Sequence, residues 1–286
     1  MLREWIHSVR RFEQARDMDI CILDAGLTPE QIEALRPLVS KIVNPEWPCP
    51  LPDHKIRGKD FLKGCVCRPF LPQIFPGYGT YFWMDADTWV QDWRGPELFL
   101  QGAAKGKIAL TGQVDRAYPR AVRVKWMGRW PWKVRSFYFS NALSAFDFET
   151  ARTLLPRHVL LAGAFALRAD APHWARWQEL VVQAMTKGKV FTAEQLCLGK
   201  MCYMEGFEYE LLPAYAHWLC EHKPAWDAEH SVFVEPSLPH ETIGILHISG
   251  WDEMRLDRSV MTDFETLQGG VIRRSYRYAD FDGESV

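Results

Sequence analysis

The chain has 286 residues, a formal net charge of −2 at pH 7 and 48% hydrophobic residues. This length and composition predict one large α/β domain with a sizeable core, with or without a smaller annex. The near-zero net charge argues against nucleic acid or an anionic membrane as the main partner. We expect the 34 Lys and Arg residues to be scattered, without a dense stripe.

Neither a membrane span nor a secretion signal is predicted. The chain has no run of about 18 uncharged apolar residues, the length that a helix needs to cross a bilayer. Residues 1–5 are amphipathic and lack an apolar signal core. Cysteines within apolar runs, such as Cys197 and Cys202, are typical of buried, reduced thiols. We therefore expect a cytoplasmic protein.

The first part of the chain alternates helices and strands. Apolar residues at helical spacing predict an amphipathic helix over residues 2–16, and residues 18–23 are typical of a strand. The next helix begins at Thr28, which caps it, and Gln31 stands where it closes a capping box. Residues 40–43 then predict a second strand. This order favours a parallel sheet with covering helices.

The remaining elements follow from apolar runs and turn residues. We predict a loop over 44–58, an interrupted helix over 61–74, a buried strand over 80–84, a strand over 107–112, an aromatic loop over 118–137, a strand over 160–167, helices over 174–185 and 193–204, strands over 209–213 and 243–248, and a weakly ordered polar tail after Gly250.

The sharpest chemical signal is a pair of aspartates. Asp85 and Asp87 follow directly after the predicted buried strand of residues 80–84. Side chains two apart on an extended chain point to the same side, and ligands bind at the carboxyl ends of strands in open α/β sheets. Two carboxylates at one point favour Mg²⁺ or Mn²⁺. The alternative is a helix cap followed by a solvated turn residue.

A third candidate ligand is His247, near the end of an apolar strand that leads to Gly250. A neutral imidazole there can complete a metal site with the two carboxylates. The alternative is a core histidine whose hydrogen bonds are satisfied. A separate Trp-rich stretch, residues 126–132, is either an acceptor platform for sugar rings and lipids or a small hydrophobic cluster under a long loop.

Several segments resemble those of glycosyltransferases similar to family 8. Residues 68–90, with the run Tyr81-Phe82-Trp83-Met84-Asp85-Ala86-Asp87-Thr88-Trp89-Val90, resemble the family's DxD region. Later segments resemble its further motifs in the same order, at residues 160–167, 193–198, 212–220 and 246–250. The resemblance covers roughly residues 1–252, and the ordered set is more specific than any single member.

The resemblance implies a GT-A type fold, which is an α/β architecture with a Rossmann-like, mixed and mostly parallel sheet flanked by helices. Residues 1–252 would form one such domain, and residues 253–286 a C-terminal extension. The implied reaction is hexosyl transfer with retention, from a nucleotide-sugar donor, usually UDP-linked, in the presence of Mn²⁺ or Mg²⁺. The acceptor, a glycan, a lipid-linked sugar or a protein, stays open.

The resemblance also assigns roles to residues. It implies Asp85, Asp87 and His247 as metal ligands, with Glu194 and Asp87 as catalytic residues. The residues expected to contact the donor are Arg68, Asp85, Ala86, Gly163, Gln195 and Gly250. The alternative for Glu194 is a helix first-turn carboxylate favoured by the helix dipole.

The sequence departs from the family in three respects. Ala162 and His217 stand where the family commonly has Asn, and the segment after Gly250 lacks the family's phosphate-gripping lysine. A nucleotide-binding α/β domain normally opens with a strand, whereas this chain opens with a helix. Either the first strand lies outside this numbering, as with a start set too late, which we favour, or the sheet is built differently.

The aspartate pair and the α/β pattern are compatible with two other functions. A nucleotidyltransferase also uses a metal-bound aspartate pair, but it usually has a Gly-rich, basic phosphate loop, which this sequence lacks. The other is a non-catalytic binding protein that retains the fold, which an incomplete nucleotide pocket would favour.

Overall fold

The computed structural model describes residues 1–118 and 123–280, with the backbone alone at 123–124 and 131–135. The chain is a mixed α/β protein, as predicted. The α-helices, in chain order, are α1 (Leu2–Arg10), α2 (Pro29–Leu35), α3 (Asp53–Ile56), α4 (Lys63–Val66), α5 (Leu71–Ile74), α6 (Arg94–Ala104), α7 (Phe137–Ala145), α8 (Phe148–Leu154), α9 (His173–Lys187), α10 (Val190–Met204) and α11 (Asp252–Leu256).

The strands are mostly short. In chain order they are β1 (Cys21–Leu23), β2 (Lys41–Val43), β3 (Thr80–Met84), β4 (Thr88–Val90), β5 (Ile108–Gly112), β6 (Arg123–Met127), β7 (Trp130–Arg135), β8 (Leu160–Arg168), β9 (Tyr209–Leu212), β10 (His217–Leu219), β11 (Ala225–Asp227), β12 (Val232–Val234), β13 (Ile245–His247), β14 (Thr262–Glu265) and β15 (Val271–Arg274).

Four strands form a central sheet in the order β3-β8-β5-β9. The strand β8 is antiparallel to both β3 and β5, and β9 is parallel to β5. Consequently β3, β5 and β9 run in one direction and β8 in the other. The sheet is mixed, with parallel strands among its members, and one reversed strand lies in its interior.

A second sheet has the order β10-β13-β4. The strands β10 and β13 are parallel, and β4 is antiparallel to β13. Because β3 belongs to the central sheet and β4 to this one, residues 85–87 carry the chain from one sheet to the other. The aspartate pair therefore lies at the junction of the two sheets.

Side chains of β8 explain how the central sheet is covered on both faces. Phe165 and Leu167 pack into a core with residues of α9 and α10, including Trp177. Ala164 and Ala166 pack on the other side with residues of α1 and α6. A strand that is buried on both faces must be apolar throughout, and residues 160–167 are all buried.

Local signals predicted the first elements in the right order, but the helix predicted over residues 2–16 ends at Arg10 and is followed by a short 3-10 helix at Glu13–Ala15. The Thr28 side chain accepts from the Gln31 amide at 3.3 Å, and the Thr28 amide donates to Gln31 Oε1 at 2.9 Å, which completes the predicted capping box. The strands β1 and β2 are a parallel pair, as the alternation indicated. They form a two-stranded sheet of their own, and β1 follows α1.

Three predictions of loops or burial were wrong. Residues 53–56 of the predicted loop form α3, which is too short to leave a periodic pattern. In β3 only Tyr81 is buried, because the following residues face a cavity. Residues 123–135 form a hairpin of β6 and β7 around Gly128, whose φ of +60° suits the turn. The rest of that predicted loop includes residues 119–122, which lie outside the described residues.

The expectation of a weakly ordered tail was also wrong over residues 253–280. The strands β14 and β15 pair there, and Phe264 and Tyr276 are buried. The Tyr276 carbonyl accepts a hydrogen bond from Trp89 at 2.7 Å, and Arg277 forms a buried ion pair with Glu4 of α1. A few buried aromatic residues anchor a segment whose overall polarity suggested disorder. Residues 281–286 lie outside the described residues.

Candidate active site

A cavity of about 880 Å³ opens where the two sheets meet. Every residue that the sequence predicted for the site lines it, namely Arg68, Asp85, Ala86, Asp87, Gly163, Glu194, Gln195, His247 and Gly250. Residues of α1 and β1, among them Trp5 and Leu23, form an apolar part of the wall. The structure thus gathers into one cavity residues that are up to 182 positions apart, from Arg68 to Gly250.

A turn, and not an extended strand, brings the aspartates together. Asp85 is held at the end of β3 because its amide donates to the Gly163 carbonyl at 2.8 Å. The amide and the hydroxyl of Thr88 both donate to the Asp85 carbonyl, at 3.0 and 2.7 Å. These bonds close a tight turn over residues 85–88. The predicted convergence is confirmed, but its cause is the turn and not strand alternation.

The two aspartates and His247 form a candidate metal centre. His247 Nε2 lies 3.2 Å from Asp87 Oδ1 and 3.9 Å from Asp85 Oδ2. One ligand atom from each of the three residues lies within 4.8 Å of the others. Two carboxylate oxygens and an imidazole nitrogen are a donor set that suits Mn²⁺ or Mg²⁺, with positions left for other oxygen ligands.

Arg68 orients the Asp85 carboxylate by binding the oxygen that does not face His247. This buried side chain donates from Nη2 to Asp85 Oδ1 at 2.6 Å and from Nη1 to Glu194 Oε1 at 2.7 Å. Trp83 Nε1 donates to the same Asp85 oxygen at 2.8 Å. With Oδ1 held by two donors, Asp85 Oδ2 is the oxygen turned toward His247 and Asp87.

Glu194 is buried and takes part in this hydrogen-bond network. It lies in the second turn of α10, is 3% exposed, and its Oε2 accepts from the Gln195 amide at 2.8 Å. The interpretation as an ordinary first-turn carboxylate is therefore wrong. Burial raises the pKa of Glu194, and Arg68 opposes that shift.

The cavity is rich in ionisable groups. Among the described residues, the carboxylates of Asp85, Asp87, Glu194 and Glu221 line it together with the guanidinium groups of Arg68 and Arg255 and the imidazole of His247. Burial raises the pKa of Asp85 despite Arg68 and His247. Burial acts in the same sense on Asp87, but the hydrogen bond with His247 and the charges of His247 and Arg255 hold its pKa below the usual range. Burial lowers the pKa of His247, but the hydrogen bond and the charge of Asp87 outweigh that effect and raise it. A cation bound here would therefore compete with a proton on His247.

A second histidine supports the first. His217 Nε2 lies 3.0 Å from His247 Nδ1, and His217 Nδ1 lies 3.1 Å from Thr111 Oγ1. Burial lowers the pKa of His217 well below its usual value, so its ring is neutral. A His247 ring that binds a cation through Nε2 carries its proton on Nδ1 and donates it to His217. His217 then donates from Nδ1 to Thr111.

Gly163 is required by close packing. A Cβ atom added there would lie 2.7 Å from His247 Cε1, closer than side chains tolerate, and 3.1 Å from Asp85 Oδ2, which is a tight contact. The sequence predicted Gly163 as a donor contact. The structure places it directly against two of the three candidate ligands.

Arg255 was missed by the sequence reasoning. It lies on α11, donates from Nη1 to Asp87 Oδ2 at 2.8 Å, and also pairs with Asp252. The expected lysine is absent after Gly250, and Arg255 brings a cationic group to the same cavity from a segment predicted to be weakly ordered. No local pattern marks it, since its position depends on how residues 251–256 fold back.

The comparisons with known proteins found structural similarity alone. No known protein family and no curated protein matches the sequence. Mouse xyloside xylosyltransferase 1 in its apo form is similar over 67% of this chain and 64% of its own, with 11% identity and a TM-score of 0.38. This chain thus spans less than two thirds of that structure. A glycosyltransferase involved in the glycosylation of the major capsid of PBCV-1 is similar over 80% of this chain and 88% of its own, with 12% identity and a TM-score of 0.37.

Gly163→Ala is expected to weaken Mn²⁺ binding by at least about tenfold, because the new methyl group displaces His247 and Asp85. Electron paramagnetic resonance of bound Mn²⁺ measures the affinity. Gly79→Ala is the matched control, since a Cβ there meets nothing within 4 Å. Equal affinities for the two variants would contradict the assignment.

His217→Leu is expected to lower Mn²⁺ affinity by about 10–100-fold, because His247 loses the partner that orients its ring. His217→Gln, which retains an acceptor, should recover part of the loss. His173→Leu removes another buried histidine, whose Nε2 lies 2.8 Å from the Glu208 carbonyl, and controls for general destabilisation. Similar losses in His217→Leu and His173→Leu would show that the effect is structural only.

Proposed function

We propose that this protein is a metal-dependent glycosyltransferase that uses a nucleotide-diphosphate sugar. One observation carries the proposal: Asp85, Asp87 and His247 converge at one point of a large cavity, at the junction of two sheets. Glu194 lies behind that point, joined to Asp85 through Arg68. Such a cavity offers a place for a diphosphate and, next to it, a buried carboxylate for a sugar.

The chemistry of glycosyl transfer fits these groups. As the bond from sugar to phosphate breaks, negative charge grows on the leaving diphosphate and positive charge on the sugar carbon. A divalent cation held by Asp85, Asp87 and His247 supplies positive charge at the diphosphate. Arg255, which forms an ion pair with Asp87, lines the same cavity. Its guanidinium group is placed to bind a phosphate oxygen in a charge-assisted hydrogen bond.

Glu194 is assigned to the sugar. Its Oε1 accepts from Arg68 and its Oε2 from the Gln195 amide, so the carboxylate is held in one orientation. In that orientation it binds a sugar hydroxyl or stabilises positive charge on the sugar ring. Arg68 acts on the sugar only through the two carboxylates that it orients.

The nucleoside is assigned to the apolar part of the cavity. Trp5 of α1 and the carboxyl end of β1, at Leu23, form a wall there. A flat base has the shape and the apolar faces that such a wall accommodates. The helix α1 and the strand β1 thus supply this side of the donor pocket.

The finer parts of the proposal rest on the resemblance of the sequence motifs. They are UDP as the nucleotide, Mn²⁺ or Mg²⁺ as the ion, hexosyl transfer with retention and a domain over residues 1–252. Action in the cytoplasm is proposed from the cysteines within apolar runs, such as Cys197 and Cys202. The acceptor stays undefined among glycans, lipid-linked sugars and proteins. Among the described residues, no helix combines the length and apolar character needed to cross a bilayer.

Asp87→Asn is expected to abolish metal-dependent UDP binding and to lower sugar transfer or donor hydrolysis by about 100-fold or more, because one ligand of the cation loses its charge. A panel of nucleotide sugars, assayed with Mn²⁺ and with a chelator, measures both activities. Asp170→Asn, at an exposed aspartate paired with Arg168, is the matched control.

The same panel, extended to nucleoside triphosphates with sugar phosphates as co-substrates, separates the other functions. Release of pyrophosphate from nucleoside triphosphates, with no use of any nucleotide sugar, would identify a nucleotidyltransferase. If the protein neither binds nor uses any nucleotide, with or without Mn²⁺, it is a non-catalytic protein. Either result overturns the proposal.

Arg255→Ala is expected to weaken UDP binding by about 10–100-fold, because a charge-assisted hydrogen bond to phosphate is lost. It should leave Mn²⁺ affinity without nucleotide unchanged or higher, since Asp87 is released from its ion pair. Calorimetric titrations with Mn²⁺ alone and with UDP plus Mn²⁺ measure the two effects. Arg152→Ala, on the exposed face of α8, is the control, and a loss of Mn²⁺ affinity in Arg255→Ala would refute the phosphate role.

A further inference from the structure

The hairpin of residues 123–135, here called the basic hairpin, carries an exposed apolar tip. Residues 125–130 are all exposed, and around the turn at Gly128 the exposed fractions are 63% for Trp126, 58% for Met127 and 77% for Trp130. Large apolar side chains exposed at one turn mark a candidate interaction site. The side chain of Trp132 lies outside the described residues. For Trp126 and Trp130, the prediction of a cluster beneath a loop was wrong.

The same hairpin concentrates positive charge. Its sequence contains Arg123, Lys125, Arg129, Lys133 and Arg135, and no Asp or Glu occurs from residue 116 to residue 146. The expectation of scattered basic residues was wrong here, because the overall charge of −2 averages over a local excess. The strand register pairs Arg123 with Arg135 and Lys125 with Lys133.

The position of the hairpin relates it to the cavity. The strand β7 ends at Arg135, and Phe137, two residues later, lines the cavity. The exposed aromatic rings of Phe61 and Phe191 also belong to the cavity lining. The hairpin therefore rises from the same part of the molecule as the cavity wall.

We propose that the basic hairpin docks the protein onto an anionic lipid bilayer. Tryptophan prefers the interface between headgroups and acyl chains, and basic residues next to it bind anionic headgroups. The tip of the hairpin is rich in large apolar residues, and its strands carry most of the cations. This is the arrangement expected of an element whose tip enters the interface while its flanks remain among the headgroups.

The docking does not depend on the proposed function. If the protein is also a glycosyltransferase, the position of the hairpin beside the cavity favours the lipid-linked sugar among the candidate acceptors. That extension rests on the proposed function and is tested by transfer assays, whereas docking is tested by binding alone.

The experiment is co-sedimentation of the full chain with phosphatidylcholine vesicles, with and without phosphatidylglycerol. We expect binding only to the anionic vesicles, weakened by salt. Lys125→Glu together with Arg129→Glu should lower the partition coefficient by at least about tenfold. Trp126→Ala together with Trp130→Ala should lower it independently, without changing the charge.

Matched controls alter exposed residues elsewhere. Arg152→Glu with Lys187→Glu repeats the charge reversal, and Phe148→Ala removes an aromatic ring that is 62% exposed. Circular dichroism and the melting temperature confirm that each variant is folded. Equal sedimentation of the hairpin variants, the controls and the unaltered chain overturns the proposal. So does the absence of vesicle binding, or binding to single-stranded oligonucleotides that displaces the vesicles.

Discussion

The cavity depends on one buried guanidinium group. Arg68 is 6% exposed and forms ion pairs with two carboxylates from distant parts of the chain, Asp85 after β3 and Glu194 on α10. A buried carboxylate without a partner is costly, so both acids are bound to this one position. The arrangement commits one oxygen of each acid to Arg68. The other oxygen of Asp85 then faces the aspartate and the histidine with which it forms the candidate centre.

Close packing around His247 leaves that residue little freedom. Its ring lies beside that of His217, with a centroid separation of 5.1 Å and an interplanar angle of 29°, while Gly163 approaches it from β8. A histidine that is held by a hydrogen bond on one nitrogen presents the other in a defined direction. The protein thus orients the candidate ligands through neighbours that do not themselves belong to the centre.

The sequence predicted what local patterns encode. The capping box at Thr28 and Gln31, the apolar strand of residues 160–167 and the acidic pair beyond Met84 are signals confined to a few neighbouring residues. The ordered motifs then identified a set of residues that the structure does bring into one cavity. The roles of those residues remain proposals, because proximity shows where a side chain lies and not what it does.

Other features arise from long-range contacts and could not be predicted. His217 is adjacent to His247 only because β10 pairs with β13, and Arg255 reaches Asp87 only because the chain turns back at Gly250, where φ is +76°. The basic hairpin is different, since Gly128 and the run of cations were visible in the sequence. An overall charge count conceals such a run, and a count over short windows would have found it.

The junction of two sheets at the aspartate turn has a consequence for the stability of the whole fold. Asp85 follows a strand of the central sheet, whereas His247 lies on β13 of the second sheet. An ion bound by Asp85 and His247 would link the two sheets. A ligand that binds only the folded chain raises the free energy of unfolding, and at concentrations well above its dissociation constant this increase grows with the logarithm of the ligand concentration. The melting temperature of a preparation would therefore fall when a chelator removes the ion, whether or not the protein catalyses a reaction.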